Sequence, residues 1–400
     1  MSNSLKTKRS TRLEHTENKK GFLSTYEKSP DFICSAPGRI ELLGNHVDYN
    51  GGSVMGIGIN RYVTTGIGAT SDESIQIFSE FADSRISSSI HKIERQQGDK
   101  TWGNYILGVL DEIIKLGISP SHGFKMYISS KVPSGKGLSS SAALEVSVAH
   151  AILSLYGIAL EDSEIFKLCK RAENNFVGVP CGVLDQATSA CSKENHVILI
   201  DCENEEVTRN AFSEKVVFWI FDSSKEHYLV DSLYSERFLE CQDASKLLDQ
   251  NLRRGRLLAK YTKDDLSTIR SKFSPNIFKR ASHVIEENDR VYQANFDLHN
   301  SDMKRFGQRL FESHKSSQYQ FENSCLELDF LVQRLALDSN VYGARLTGGG
   351  FGGAVIAMTN LYFEPSDADG ILEAFKKNFS KESSALQVST DACCLIEALS

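Results

Sequence analysis

The chain has 400 residues, of which 40% are hydrophobic and 24% charged, a composition typical of a globular protein long enough for two domains. A formal net charge of -7 excludes the concentrated basic surface of a nucleic-acid-binding protein, so a small soluble substrate fits better. No apolar run reaches the roughly 18 residues of a membrane helix, and the N-terminus lacks the apolar segment of a signal peptide. We therefore expect a cytoplasmic protein with no nucleic-acid or membrane partner.

The first segment of the chain is rich in Lys, Arg, Ser and Thr, which predicts a disordered polar tail over residues 1–20. After it, strand-like and helix-like patterns alternate until a polar stretch at residues 205–215, where we expect a hinge. The sequence therefore predicts an N-terminal domain over residues 21–210 and a C-terminal domain over residues 211–400.

The nine cysteines are an odd number with no C-x-x-C pair, which indicates structural thiols rather than a zinc site or a disulfide framework. The ten histidines show no H-E-x-x-H or other paired spacing, which argues against a metal site built from protein ligands alone. Three glycine-rich segments are then the candidates for a functional site.

The first of these segments, residues 36–52, reads A-P-G-R-I-E-L-L-G-N-H-V-D-Y-N-G-G. Arg39, His46 and Asp48 lie within ten residues of one another, separated by glycines that let the chain turn around a small ligand. Asp48 can accept two adjacent hydroxyls of a sugar, His46 can donate or accept, and Arg39 can neutralise a developing negative charge. The alternative is a plain surface turn, because N-G-G is a strong hairpin signal.

The second segment, residues 133–143, reads P-S-G-K-G-L-S-S-S-A-A and lies between a strand pattern and a helix pattern. Serines, unpaired N–H groups and the positive dipole end at a helix start favour a bound anion, and Gly135 and Gly137 let the backbone approach it. Ser130 replaces the first glycine of a Walker A loop and excludes that motif. The alternative is an ordinary serine-capped helix after a glycine turn.

The third segment, residues 343–353, reads G-A-R-L-T-G-G-G-F-G-G and satisfies the dinucleotide pattern G-x-G-x-x-G. A dinucleotide loop opens a helix, whereas this loop precedes the strand-like run A-V-I-A-M at residues 354–358. The context therefore excludes a nicotinamide dehydrogenase. We expect the loop to approach a substrate or the loop of the second segment.

In their order and spacing, the three segments resemble the motifs of the GHMP kinase superfamily and, within it, of the galactokinase family. Residues 172–186 are similar to the family's catalytic-base segment, residues 102–108 to the region that flanks adenine, and Tyr234 to a sugar-contacting tyrosine after D-S-S-K-E-H at residues 222–227. The resemblance covers about residues 30–360. It implies an α+β fold of two domains with the active site in the cleft between them.

The resemblance also implies a reaction, which is ATP-dependent phosphorylation of the anomeric hydroxyl of galactose to give galactose 1-phosphate and ADP. ATP and Mg²⁺ are the implied cofactors, transfer is direct, and we expect a monomer. Asp185 and Arg39 are the implied catalytic residues, and Ser141 and Glu173 the implied Mg²⁺ ligands. The implied sugar-binding residues are Asn45, His46, Asp48, Gly182 and Tyr234. The implied ATP-binding residues are Trp102, Pro133, Ser134, Gly135, Lys136, Gly137, Leu138, Ser139, Ser140, Ser141, Ala142, Gly349 and Gly350.

Two of these carboxylates have a predicted local setting. Asp185 follows a stretch containing glycines and a proline, which predicts a turn outside any regular element, where it accepts or orients the anomeric proton. Glu173 is predicted on the flank of a packed helix whose apolar stripe is Ile165, Leu168, Cys169, Ala172 and Phe176. The alternatives are a turn-forming aspartate and a solvated helix glutamate.

One departure from the family pattern lies in the first segment. Galactokinases commonly have Gly-Glu-His-x-Asp-Tyr, in which the glutamate contacts the C6 hydroxyl of the sugar, and this chain has Asn45 there. Glu41 is a second change, since the family usually has Asn at that position. A neutral amide removes repulsion toward a C6 carboxylate, so galacturonate or another C6-altered sugar stays open as the substrate.

A non-catalytic sensor of galactose and ATP is a third alternative, because some relatives of galactokinases bind both without reaction. The feature that separates sensors is damage to the phosphate-binding segment or to the base. This chain keeps serines 139–141, Arg39, Glu173 and Asp185, which favours catalysis.

Overall fold

The computed structural model describes residues 2–133, 136–225, 230–391 and 394–399, and gives side chains for these residues except 2–11 and 230–232. The predicted ATP-binding residues Ser134 and Gly135 lie outside this description, as do Glu226 and His227. None of the described helices combines the length and the apolar composition needed to cross a bilayer.

Twelve strands and eleven α-helices make up the described fold. The strands are β1 Phe32–Leu43, β2 Ser53–Ala69, β3 Ser74–Ser79, β4 Ser84–Ser89, β5 Phe124–Ser130, β6 His196–Asp201, β7 Glu206–Ala211, β8 Val217–Asp222, β9 Val341–Thr347, β10 Ala354–Thr359, β11 Ala385–Val388 and β12 Leu395–Ala398. The helices are α1 Ser2–Tyr26, α2 Asn104–Lys115, α3 Ser140–Leu155, α4 Asp162–Arg171, α5 Leu184–Cys191, α6 Val230–Leu252, α7 Lys263–Thr268, α8 Pro275–His299, α9 Met303–Ser316, α10 Leu326–Leu335 and α11 Pro365–Phe379. This mixed content in segregated sheets agrees with the expected α+β class.

The larger sheet has eight strands in the order β12-β1-β2-β5-β3-β4, with β6 paired to β2 and β7 paired to β6. Every pairing is antiparallel except that of β3 with β5. Helices α3 and α5 pack on β1 and β2, and the side chains of these two strands are almost all buried. The strand-to-helix transition predicted for the second segment is confirmed by β5 and α3.

The smaller sheet has four antiparallel strands in the order β11-β8-β10-β9. In β8 the side chains alternate between two apolar clusters, with Phe218 and Ile220 in one and Trp219 and Phe221 in the other. The hairpin of β9 and β10 carries residues 348–353 at its turn. The third segment therefore joins two strands, as its sequence context predicted.

The predicted disordered tail over residues 1–20 is wrong for the described residues, because α1 occupies them. Asn18 and Phe22 are fully buried, and Tyr26 is nearly so. Asn18 Nδ2 donates to Thr64 O and to Ser129 Oγ, each at 2.9 Å. Composition misled here because α1 packs on the sheet with hydrogen-bonded polar side chains as well as apolar ones.

The polar stretch at residues 205–215 is a strand for most of its length rather than a hinge. It contains β7, whose side chains are mostly exposed or half-buried because the strand lies at a sheet edge. The last described strand of the chain also belongs to this sheet, because β12 pairs with β1. The larger sheet thus includes a strand from the predicted 211–400 domain, and the domain boundary itself stays a prediction.

No disulfide joins cysteines within the described part of the chain. Cys34, Cys169 and Cys241 are fully buried, as expected for structural thiols.

Candidate active site

The turn after β1, residues 44–52, is called the sugar loop here. It starts at Gly44, whose φ of +102° favours glycine and where a Cβ would overlap Val54. Glu287 of α8 fixes this turn, because its Oε1 accepts from Gly44 N at 3.0 Å, Asn45 N at 3.4 Å and Ser313 Oγ at 2.7 Å. Sequence reasoning missed Glu287, since nothing local marks a helix residue that bonds a distant backbone.

Glu287 is fully buried, and its charge is matched by two arginines. Its Oε2 accepts from Arg290 Nε at 2.7 Å, and Arg345 Nη1 is 4.0 Å from its Oε1. Burial alone would raise the pKa of this carboxyl, but the two guanidinium groups hold the pKa well below its usual range. The sugar loop is therefore bonded to a permanently charged acceptor.

Arg39 and Asp185, the predicted catalytic pair, are in direct contact. Asp185 Oδ1 accepts from Arg39 Nε at 2.8 Å and from Arg39 Nη2 at 2.6 Å. Arg39 Nη1 also donates to Gly137 O at 2.6 Å. One buried guanidinium thus joins Asp185 to the second glycine-rich segment, whose residues 133–139 are called the phosphate loop here.

One local prediction about this site is corrected, and the alternative of a serine-capped helix is excluded for Ser139. Asp185 is not on an irregular turn but in the first turn of α5, which begins at Leu184 directly after Gly182 and Val183; the dipole there favours a carboxylate. Ser139 precedes α3 in a left-handed conformation, with φ of +52°, and makes no side-chain cap. Its Oγ donates instead to Asp185 Oδ2 at 2.5 Å.

A cavity of about 150 Å³ lies between the sugar loop, the start of α5 and the C-terminal glycine loop (residues 348–353). Both predicted catalytic residues and all five predicted sugar-binding residues line it. The lining residues are Arg39, Glu41, Gly44, Asn45, His46, Asp48, Pro180, Cys181, Gly182, Leu184, Asp185, Tyr234, Gly348 and Gly349. The structure therefore brings together residues that lie up to about 300 positions apart in the sequence.

Asp48 and Gly182 are packed against each other at the wall of this cavity. A Cβ on Gly182 would overlap Asp48 Oδ2, so only glycine leaves room for the carboxylate. Burial raises the pKa of Asp48 to about 7, with further contributions from Glu41 and Asp185. Glu41, Asp48 and Asp185 thus place three carboxyl groups at this cavity, and Arg39, which also lines it, is already paired with Asp185.

His46 lines the cavity, but both of its ring nitrogens are bonded within the protein. Its Nε2 donates to Gly349 O at 3.2 Å, and its Nδ1 accepts from Tyr49 Oη at 2.9 Å. The ring centroid is 5.1 Å from that of Tyr234. Burial, followed by repulsion from nearby His283, lowers the pKa of His46 to about 3, so the imidazole is neutral at pH 7. His46 thereby fixes the C-terminal glycine loop and the position of Tyr234.

The two glycine loops approach each other, as expected for the third segment. The position of a Cβ on Gly348 would lie 3.9 Å from Gly137 Cα. Gly349 lines the sugar-side cavity, whereas a Cβ on Gly350 would overlap Asn323 O. Their predicted ATP contacts stay predictions.

A second cavity, of about 510 Å³, lies on the other side of the phosphate loop. Trp102, Pro133, Ser140 and Ser141 line it, as does Tyr105 from the segment likened to the adenine-flanking region. Other lining residues, among them Val63, Phe81 and Lys131, were missed by sequence reasoning. Trp102 Nε1 is buried and has no hydrogen-bond acceptor among the described residues. The rings of Trp102 and Tyr105 give this cavity an aromatic wall, which fits a planar ring such as adenine.

Other predicted ATP residues lie in different surroundings. Leu138 and Ala142 are buried in the core. Lys136 Nζ lies 3.2 Å from Asp222 Oδ2 and donates to Ser384 Oγ at 3.0 Å, so it bonds to the smaller sheet.

The predicted Mg²⁺ ligand Glu173 is buried, which excludes the solvated alternative. It belongs to a π-helical turn, Ala172–Val177, that follows α4, rather than to an α-helix flank. Gln186 Nε2 donates to Glu173 Oε2 and, at 3.0 Å, to Glu145 Oε2. Burial, followed by repulsion from Asp185, raises the pKa of Glu173 to about 7.

The oxygen groups of Glu173 and Ser141 are of the types that bind a magnesium ion. Glu173 supplies a carboxylate and Ser141 a hydroxyl, and Mg²⁺ takes few protein oxygens together with phosphate oxygens and water. Among the described residues no cluster of three or more His, Cys, Asp or Glu could hold a metal by itself. Glu145, one helical turn after Ser141, has a buried Oε1 without a partner in the described chain; sequence reasoning missed it.

Three family models match this chain. The GHMP kinases N terminal domain matches residues 104–193, the galactokinase galactose-binding signature residues 20–69, and the GHMP kinases C terminal domain residues 296–381. The chain is 36% identical to the galactokinase of Thermosipho africanus, over 87% of this chain and 92% of that protein. It is 34% identical to the galactokinase of Clostridium tetani, over 91% and 92%.

Solved structures agree with these sequence relationships. A Lactococcus lactis galactokinase complexed with galactose superposes with a TM-score of 0.90 at 26% identity, over 96% of this chain and 99% of that one. The mevalonate kinase of Methanococcus jannaschii shares the fold, with a TM-score of 0.64 at 20% identity over 90% and 98% of the two chains. The motifs, the geometry of the cleft and these similarities lead to one conclusion: the chain belongs to the galactokinase family of the GHMP kinases.

Proposed function

We propose that this sugar kinase transfers the γ-phosphoryl group of ATP to the anomeric hydroxyl of galactose, giving galactose 1-phosphate and ADP. The observation that carries the proposal is the contact of Asp185 with both Arg39 and Ser139. It joins the wall of the small cavity to the start of α3, where helix N–H groups favour phosphate. A monosaccharide hydroxyl at Asp185 is thereby placed beside the phosphate loop.

The residues have distinct parts in this transfer. Asp185 orients the anomeric hydroxyl and accepts its proton as the bond to phosphorus forms. Arg39 holds that carboxylate from one side and offsets negative charge on the transferring group. Ser139 fixes the second oxygen of Asp185. Because the reactants are positioned for direct transfer, no covalent enzyme intermediate is required.

Ser141 and Glu173 would hold Mg²⁺ together with phosphate oxygens and water. When bound, the ion neutralises charge on the ATP phosphates. The buried Gln186 amide orients the Glu173 carboxylate by donating to it.

Charge in the small cavity favours galactose over galacturonate. Glu41, Asp48 and Asp185 line the cavity, and Arg39, the only arginine or lysine among its described lining residues, is already paired with Asp185. A sugar carboxylate would add a fourth acidic group at short range. The cavity therefore keeps an acidic lining, although position 45 carries Asn in place of the family's usual glutamate.

The test is an ADP-release assay on the purified protein with galactose, galacturonate, N-acetylgalactosamine, glucose and arabinose. We expect the highest kcat/KM with galactose. Preference for galacturonate would favour the C6-altered alternative. Sugar binding without turnover of any of the five would favour the sensor.

We further propose that the enzyme acts in the cytoplasm as a monomer. The cysteines of the described part of the chain are free thiols, which supports the cytoplasmic part of this proposal. Light scattering on the purified protein is expected to give the mass of one chain, and a multiple of that mass would contradict it.

A further inference from the structure

Glu41 and Asn45 contact each other across the end of β1. Asn45 Nδ2 donates to Glu41 Oε1 at 3.2 Å. Galactokinases commonly carry the amide at the first of these positions and the carboxylate at the second. In this chain the two side chains are exchanged, so the carboxylate is at position 41 and the amide is at position 45.

Asn45 has no donor left for a sugar. Its Nδ2 also donates to Gly348 O at 2.8 Å, and its Oδ1 accepts from Asn323 Nδ2 at 2.9 Å. A side-chain amide has two N–H donors, and both are used. Asn45 therefore ties the sugar loop to the C-terminal glycine loop.

Glu41 has the opposite character, with one oxygen anchored and one available. Its Oε1 accepts from Asn45 and from Nη1 of the fully buried Arg345, at 3.3 Å. Arg345 Nη1 is held in turn by Leu42 O at 3.0 Å. Glu41 Oε2 receives no hydrogen bond from the described residues, and Glu41 lines the small cavity.

We propose that Glu41 binds the substrate by accepting a hydrogen bond from the C6 hydroxyl, and that the Glu41–Asn45 pair selects a neutral hexose over a uronate. The proposal rests on galactose as the substrate. A carboxylate oxygen anchored through its partner oxygen accepts from a hydroxyl strongly, because the bond is charge-assisted. The same oxygen repels a carboxylate at C6.

The test compares galactose, 6-deoxygalactose and galacturonate with the parent protein and two variants, E41Q and E287Q. E41Q keeps the shape and removes the charge at the cavity wall. E287Q is the matched control, because Glu287 also approaches Arg345 and supports the sugar loop but does not line the cavity. Both kcat/KM and the sugar dissociation constant from calorimetry are measured.

In E41Q, kcat/KM for galactose should fall about tenfold, as expected for the loss of a charge-assisted bond. Its value for 6-deoxygalactose, which has no C6 donor, should stay within about threefold. The preference for galactose over galacturonate should fall at least tenfold. E287Q should lower kcat/KM for all three sugars by a common factor, so that the ratios of kcat/KM between the sugars stay unchanged.

A double-mutant cycle of E41N, N45E and E41N/N45E adds an independent check. E41N should lose activity on galactose, and E41N/N45E, which restores the usual family arrangement, should recover it to within about threefold of the parent. Failure of this recovery would contradict the exchange.

The proposal would be overturned if E41Q lowered kcat/KM equally for galactose and 6-deoxygalactose. It would also be overturned if the preference for galactose over galacturonate stayed the same in E41Q. A parent that binds galactose without turning it over would contradict the proposed function alone, because the dissociation constants would still test Glu41. A parent that binds no galactose would overturn both.

Discussion

Lys136 of the phosphate loop and Asp222 at the end of β8 form an ion pair across the cleft, with 3.2 Å between Lys136 Nζ and Asp222 Oδ2. Both side chains are about 30% exposed, so the pair contributes less than about 1 kcal/mol to stability. We therefore expect that a nucleotide phosphate can displace Asp222 from the Lys136 ammonium.

This competition predicts opposite effects of two substitutions. D222N should lower the KM for ATP two- to fivefold, because Lys136 no longer has a charged partner on the smaller sheet. K136A should raise that KM about tenfold with little change in kcat. Steady-state kinetics with varied ATP give both values, and S384A, which removes only the neutral partner, is the control. An unchanged KM in both variants would show that Lys136 does not bind phosphate.

D185N tests the catalytic base. The amide keeps the shape of Asp185 but cannot take the anomeric proton, so kcat should fall at least about 100-fold. The dissociation constant for ATP should stay within about twofold of the parent value. Single-turnover kinetics and calorimetry measure the two quantities. S139A, which keeps the Arg39–Asp185 contact, should lose much less, and normal turnover in D185N would refute the role.

E287Q should destabilise the protein and weaken sugar binding together. Breaking a buried ion pair costs about 3–5 kcal/mol, and the sugar loop loses a charged acceptor for Gly44 N. Urea unfolding gives the free-energy change, and the KM for sugar gives the effect on the loop. E286Q alters a more exposed neighbour on α8 and should cost less than about 0.5 kcal/mol. Parent-like stability in E287Q would contradict its anchoring role.

His283 should make the protein less stable in mild acid. Burial lowers the pKa of this histidine to about 4 from its ordinary 6.5, so between these values the unfolded chain binds a proton that the folded chain excludes. The free energy of unfolding therefore falls as pH decreases from about 6.5 toward 4, by up to about 1.4 kcal/mol per pH unit for this group.

The measurement compares the pH dependence of the unfolding free energy in the parent and in H283Q. A glutamine amide can still donate to Asn45 O, the partner that His283 Nε2 contacts at 3.1 Å. The slope between pH 6 and pH 4.5 should be smaller in H283Q. Identical slopes would show that His283 titrates normally.

Much of the cleft could be predicted from the sequence because its motifs are local. The strand, loop and helix around serines 139–141, and the hairpin that carries Gly348, were correctly predicted from periodicity and glycine spacing. The convergence of Asp48, Asp185 and Arg39 was predicted only through the family resemblance, since no pattern within the chain encodes contacts between distant segments.

The missed features share a physical cause. Glu287 and Glu145 act through buried polar contacts that depend on the packing of separate elements. The predicted local setting of Asp185 was wrong because the glycine- and proline-containing loop ends at Val183, and α5 begins at Leu184, one residue before Asp185. Helix α1 was predicted to be a disordered tail because the segment has few apolar residues. It packs on the sheet partly through buried polar side chains that form hydrogen bonds, such as Asn18.

The pairing of β12 with β1 has a consequence for biosynthesis. Residues 32–35, which lead into the strand that carries Arg39, have an unpaired edge until residues 395–398 have been translated. The nascent N-terminal half therefore leaves the ribosome with a sheet edge open to association with other chains. Completion of this sheet therefore has to wait for residues 395–398, and holdase chaperones that cover exposed strands should matter most in the interval before they are available.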